Sequence, residues 1–479
     1  MKLGIDLSPF YTESKYRGIG RYARGLMEEL IRLDHSDQFH FLNIYGDFEG
    51  DPLLNEKCFL HNYDCGPMIP EDGGKLLLSG TDFQGYLRAV TEHFIRSSGI
   101  EAMLFLSLQG NDQPLRAEWF SGVYKIGILY DLIPLLFPQE YLFNEENRKK
   151  YDASIALVHK MDLLLAISET TRQDAIRLLQ IPPEKIVVIH AGIDPHFIEA
   201  AREVNIPHTE KLNQRNPYLL YVGGVDSRKN IAKAIQAFGM NRAAREKRVR
   251  FVIAGRLEEQ TKAMFSTIAI EYGVGDRIDF PGYVSDEEVI QLYRNAVALL
   301  FPSLYEGFGL PVLEAMCCGT AVITSNTSSL AEVAKNYAYL VDAHSAESIS
   351  GGISKTLEKR PDADALIHSA RDYALTYQWK KVAQTTREAV AALIAHLPLP
   401  SPVSEPYQVE SGLTEAIARR YAQYKLPFRW PDALALAKQL RVLERAECSS
   451  GNRHGMRVLY DVTVLREWLK AGYHTGITR

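Results

Sequence analysis

"LLFPSLYEGFGLPVLEAMCCGTAVITS", residues 299–325, decides how this chain is read. It opens and closes on apolar runs of strand type, separated by two glycines, a proline and a short apolar helix pattern. Pro311 suits the first turn of a helix, where its missing N–H is no loss, and Gly319 suits the end. Gly307 and Gly309 remove side chains where the backbone must approach something closely. The order strand, glycine loop, helix, strand belongs to a parallel sheet. Such a loop is also an anion site, because its amides and the positive helix end, across Gly307, Phe308, Gly309 and Leu310, face a phosphate. Glu306 falls in the loop and Glu314 in the predicted first turn. Two carboxylates cannot both serve a phosphate, so they are expected to accept hydrogen bonds from hydroxyls. A ribose and a sugar at opposite ends of a diphosphate supply them.

Outward from this stretch the same alternation continues. "YLLYVGG", "RVRFVIAG", "RIDFPGYV", "AVALLFPS", "TAVITS" and "AYLVD" read as strands separated by helices. An earlier series, "KLGIDLS", "FHFLNIY", "AMLFLS", "VYKIGILYD", "LLLAIS" and "KIVVIHAG", has the same character. Two doubly wound α/β lobes follow, with ligand at the carboxyl ends of the strands. We place the first lobe at 1–205 and the second at 216–370, joined by the polar, proline-punctuated segment Asn205 to Pro217. Helical sequence at 371–395 ends the second unit. The proline-rich "HLPLPSPVSEPYQ" opens a linker-and-helix region at 396–455.

A length of 479 residues, 46% of them hydrophobic and 24% charged, is material for two folded cores and argues against disorder. A net charge of -5 gives no reason to expect nucleic acid as partner, so any anion site is local. The five cysteines, Cys58, Cys65, Cys317, Cys318 and Cys448, form no CxxC pair, which fits a reducing compartment. "MKLGIDLSPF" reads directly as a first strand, and no run approaches a membrane span. A cytoplasmic protein is expected. The basic and aromatic "IARRYAQYKLPFRW" suits peripheral attachment to the inner membrane or to a membrane-associated partner protein, and equally a solvated helix face.

Two further stretches carry charge or glycine where a ligand would sit. "YVGGVDSRKNIAKAI" puts Arg228 and Lys229 after the first strand of the second lobe, with Asn230 as a candidate helix cap. Two cations at a strand's carboxyl end neutralise a diphosphate. "YRGIGRYARGLMEEL" sets Gly18 and Gly20 between strand and helix in the first lobe, where their amides would reach phosphates. The third glycine of a dinucleotide fingerprint is missing, which counts against a nicotinamide-dependent oxidoreductase.

Together these residues resemble the family 4 retaining glycosyltransferases of the GT-B fold, α/β proteins with two Rossmann-like lobes facing a cleft. The resemblance runs from Met1 to about Ala395, with the E-x7-E motif at Glu306 and Glu314. It implies an acceptor lobe at 1–205 and a nucleotide-sugar lobe at 216–370, with the helices of 371–395 returning to the first lobe. Glu306 would contact the transferred sugar and Glu314 the ribose. Arg228 and Lys229 would hold the diphosphate, and the backbone around Tyr283 and Val284 the base. Asp131 would contact sugar or acceptor. Two positions depart from the family pattern, Tyr130 where many members carry His and Gly224 where many carry Arg. Transfer with retention, no cofactor and no metal are implied.

The end of the chain resembles its start. "MRVLYDVTVLREWLKAGYHTGITR" at 456–479 matches "MKLGIDLSPFYTESKYRGIGR" in its opening, its strand-end Asp (Asp6, Asp461) and its closing Gly-Ile-x-Arg. The repeat predicts the truncated start of a second glycosyltransferase domain. Tandem copies resemble bacterial mannosyltransferases that build O-polysaccharide, implying GDP-mannose as co-substrate and an oligosaccharide or lipid-linked glycan as acceptor. A dTDP-rhamnose or UDP-hexose donor, and an inactive nucleotide-sugar-binding module, stay open as alternatives.

Overall fold

The computed structural model describes residues 1–12, 18–33, 36–44, 56–62, 80–108, 115–203, 206–358 and 362–396. The expected C-terminal helices and the repeat at 456–479 lie outside these residues. The described residues form two compact units: Met1–Ile128 with Asn144–Leu164 and the described residues from Arg387 on, and Leu129–Phe143 with Leu165–Thr386.

Strands β1 (Lys2–Asp6), β2 (Gln38–Asn43), β3 (Cys58–Asn62), β4 (Ala102–Phe105), β5 (Tyr124–Leu129), β6 (Leu163–Ala166) and β7 (Ile186–Val188) form a sheet in the order β3-β2-β1-β4-β5-β6-β7. Strands β8 (Tyr218–Val222), β9 (Arg250–Ala254), β10 (Ile278–Gly282), β11 (Ala298–Phe301), β12 (Ala321–Ser325) and β13 (Tyr339–Val341) form a second, ordered β10-β9-β8-β11-β12-β13. All pairings of the second sheet are parallel. Its central strands are continuous apolar runs because helices cover both faces; every residue of β11 is buried. Both sheets are Rossmann-like. In the second the order reverses between β8 and β11, and loops leaving neighbouring strands at such a point diverge to opposite faces and leave a crevice.

Three local expectations change. "CFLHN" is the edge strand β3, too closely flanked by polar residues to stand out by pattern. The segment read as a linker contains the helix His208–Leu212. Tertiary partners hold it: Lys211 Nζ donates to Gly319 O at 2.7 Å, and His208 N–H donates to Asp364 Oδ1 at 2.8 Å. The helical region expected at 371–395 is two helices, Ala363–Ala374 and Trp379–His396. At the break, Ile193 N–H donates to Tyr377 O at 2.9 Å, and a Cβ on Gly192 would lie 2.5 Å from Trp379 N.

Candidate functional site

The loops leaving β8 and β11 make the site. After β8 the chain turns through Ser227–Lys229 into the helix Ile231–Met240. Asn230 holds the N-cap position of that helix as expected, but its side chain makes no capping bond. It adopts a left-handed conformation (φ 61°), and its Nδ2 donates to Pro302 O at 3.0 Å and Ala343 O at 2.7 Å. Leu304 N–H donates to Arg228 O at 2.7 Å. These bonds fix the cation-bearing loop against the glutamate-bearing one.

Held this way, Arg228 Nη1 donates to Glu306 Oε2 at 2.7 Å and Lys229 Nζ to Glu306 Oε1 at 2.6 Å. The three side chains are 14%, 11% and 9% exposed, so water screens the cluster weakly. Burial alone would push the Glu306 carboxyl up, but Lys229 and Arg228 hold it below its ordinary range. The cations expected to face a diphosphate thus rest on the glutamate expected to face the sugar. Lys229 also lies over the Phe301 ring, 5.4 Å from its centroid.

A second layer comes from the segment after β5. Asp131 Oδ1 accepts from Ile133 N–H at 3.0 Å, and burial raises its carboxyl despite that bond and the nearby Arg228. Gly307 packs against this turn. A Cβ there would lie 2.6 Å from Tyr130 O and 3.0 Å from Asp131 Cβ. Its close approach is therefore to backbone within the fold. Thr171 Oγ1 lies 3.2 Å from Tyr130 O and 3.3 Å from Gly307 O, pinning both. Tyr141 OH donates to Asp226 Oδ1 at 2.9 Å and accepts from Arg228 Nε at 3.1 Å.

Gly309 opens the helix Leu310–Cys317 at φ 107°, a conformation that glycine adopts without strain. Pro311 and Gly319 fall at its start and just past its end as expected. Glu314 lies in the second turn rather than the first, and its Oε2 accepts from Tyr293 OH at 3.1 Å. Phe308 turns its ring inward, 6.4 Å from His190 and 6.0 Å from Tyr377, so its side chain packs the core. Tyr283 is 77% exposed, between β10 and a helix capped by Ser285 and Glu288. β10 stands two strand spacings, about 10 Å, from β8. Gly18 and Gly20 lie in the first turn of the helix Gly18–Arg32, not ahead of it as expected, and in the other unit.

The structure thus joins Arg228, Lys229, Glu306, Asp131 and Gly307, and adds Tyr141, Asp226, Thr171 and Ser329, whose Oγ donates to Glu306 O at 2.8 Å. Asp226 stood two residues before Arg228 and was within reach of the sequence reading. Tyr141 and Thr171 carried no signal, because they lie more than 50 residues in sequence from Arg228 and Glu306.

Residues 204–373 match the family model for glycosyl transferases group 1. The serotype-specific mannosyltransferase WbdA of Escherichia coli is 26% identical over 491 residues, covering 98% of this chain and 56% of the relative. The O-antigen chain mannosyltransferase B of Escherichia coli is 31% identical over 235 residues, 48% of this chain and 61% of the relative. The chain spans 40% to 56% of the length of the WbdA relatives it matches. Sucrose-phosphate synthase from Thermosynechococcus elongatus superposes with a TM-score of 0.60 at 19% identity, over 83% of this chain and 100% of that one. That likeness is one of fold, and the fold is GT-B.

Proposed function

We propose that the chain, whose residues 204–373 match the group 1 glycosyl transferases, transfers mannose from GDP-mannose to a mannose-terminated, lipid-linked glycan in O-antigen synthesis. Its relatives' names support the sugar and the pathway. The observation that carries the chemistry is the buried Glu306 between Arg228 and Lys229. In the reaction the bond from the sugar carbon to the diphosphate breaks, and the acceptor oxygen bonds to that carbon on the same face, with retention. The acceptor proton passes to the departing phosphate oxygen, whose charge Arg228 and Lys229 stabilise in place of a metal ion. Removing one such cation costs roughly 2.7 to 4 kcal/mol, about 10²- to 10³-fold in rate. Glu306 would hold the sugar, Glu314 the ribose, and the segment of Tyr283 and Val284 the base, with Asp131 on the sugar or acceptor side. Gly307, Gly309 and Leu310 shape the phosphate turn.

No described helix is long and apolar enough to cross a membrane, and peripheral attachment at the cytoplasmic face of the inner membrane would bring the chain to a lipid-linked acceptor. The test is mass spectrometry of mannose-terminated acceptors incubated with the chain, a panel of nucleotide sugars and EDTA, beside Glu306→Ala. Hexose addition from GDP-mannose that the variant abolishes is the expected result. Nucleotide-sugar binding with no product from any donor would instead mark a binding module.

A further inference from the structure

Arg228 is surrounded by acceptors. Its Nη1 donates to Tyr305 O at 2.8 Å as well as to Glu306, and its Nε lies 3.1 Å from both Asp226 Oδ1 and Tyr141 OH. Two carboxylates, Asp226 and Glu306, pair directly with the two cations, Arg228 and Lys229, and Asp131 lies near them, so the cluster has no surplus positive charge to offer an anion. A diphosphate must compete with both carboxylates for the same guanidinium. Asp226 is the more exposed of them, at 38% against 9% for Glu306.

One neutral group stands in this competition. The Tyr141 hydroxyl donates its proton to the oxygen of Asp226 that faces Arg228, and accepts from the Nε that faces Asp226. Beside it, Ser227 Oγ donates to Glu140, so consecutive residues of the short helix Pro138–Tyr141 grip the loop on either side of the contact. Burial raises the Tyr141 phenol, so the proton stays in place across the working pH range.

Building on the diphosphate site proposed above, we infer that Tyr141 is a positioning residue for Arg228: its hydroxyl weakens the hold of Asp226 on the guanidinium and leaves Arg228 available to a diphosphate. Without that hydroxyl, Asp226 directs its full charge at Nε, and the pair closes at the expense of the ligand. A hydrogen bond between charged and polar groups is enough to change affinity about tenfold.

The experiment is calorimetric titration with inorganic pyrophosphate, GDP and guanosine, on the wild-type chain, Tyr141→Phe, and Tyr141→Phe combined with Asp226→Asn. The expected result is an affinity about tenfold weaker for pyrophosphate and GDP in Tyr141→Phe, unchanged guanosine affinity, and recovery of both anions in the double variant. Phenylalanine keeps the ring, and thermal melting checks the fold. A merely structural role would show no rescue by Asp226→Asn. Unchanged pyrophosphate affinity in Tyr141→Phe, or a loss that Asp226→Asn does not restore, overturns the inference and leaves the diphosphate site standing. A wild-type chain that binds neither pyrophosphate nor GDP removes that site, and the inference with it.

Discussion

Lys229 Nζ lies 2.6 Å from Glu306 Oε1, and the pair joins the loops that leave the two central strands of the second sheet. Breaking one side of a buried pair leaves uncompensated charge and costs about 3–5 kcal/mol. Glu306→Gln should therefore lower the melting temperature, and transfer should fall by at least about 10²-fold. Diphosphate binding should rise, because the competing carboxylate is gone. Titration with GDP, melting and product formation on one preparation check the three signs together.

Asp131 makes the opposite electrostatic statement. Burial raises its folded pKa above the ordinary 3.8, so between those two values the native state binds more protons than the unfolded one, and stability falls as pH rises through that window. The variant Asp131→Asn escapes this loss while keeping an acceptor for Ile133 N–H. It should melt above wild type at pH 7, and the difference should vanish below the ordinary carboxylate range. Equal melting temperatures at pH 7 would contradict the burial argument.

Gly307 and Gly224 form a matched pair of alanine tests. An alanine Cβ at 307 meets Tyr130 O at 2.6 Å, whereas at 224 its nearest neighbour is Asp226 Oδ2 at 3.6 Å. Overpacking of the first kind costs about 1–3 kcal/mol and displaces the loop that carries Glu306. Gly307→Ala should lose both stability and transfer, while Gly224→Ala should stay within about 0.5 kcal/mol of wild type in denaturant unfolding.

Lys211 is fully buried, and burial pushes its ammonium down to about 7. The unfolded lysine, near 10.5, binds the proton across a range where the folded one has lost it, so wild-type stability rises with pH from about 7 toward 10. Lys211→Met has no such group. Its stability relative to wild type should be greatest at pH 6 and should decline steadily toward pH 10, as read by unfolding across that series.

The architecture was legible because its strands are apolar runs repeating at a helix-sized interval. Of the thirteen strands among the described residues, the pattern missed only β3, an edge strand whose five residues end on His61 and Asn62. Glycine and proline spacing likewise placed the helix Leu310–Cys317, its start at the residue and its end within two. The helix His208–Leu212 escaped, because its buried Lys211 and the backbone N–H and Nε2 of His208 find their partners at Gly319, Asp364 and Thr356, more than 100 residues away.

For the site, sequence alone singled out Arg228, Lys229 and Glu306, since charge and glycine at strand ends are local signals. Tertiary structure decided that the three bind one another, that Gly307 is required by the Tyr130 carbonyl, and that Phe308 is core. It also brought Tyr141 and Thr171 to the cluster. Local propensity reports what a segment will form; which partner neutralises a buried charge depends on where the sheet order carries distant segments, and no local spacing encodes that.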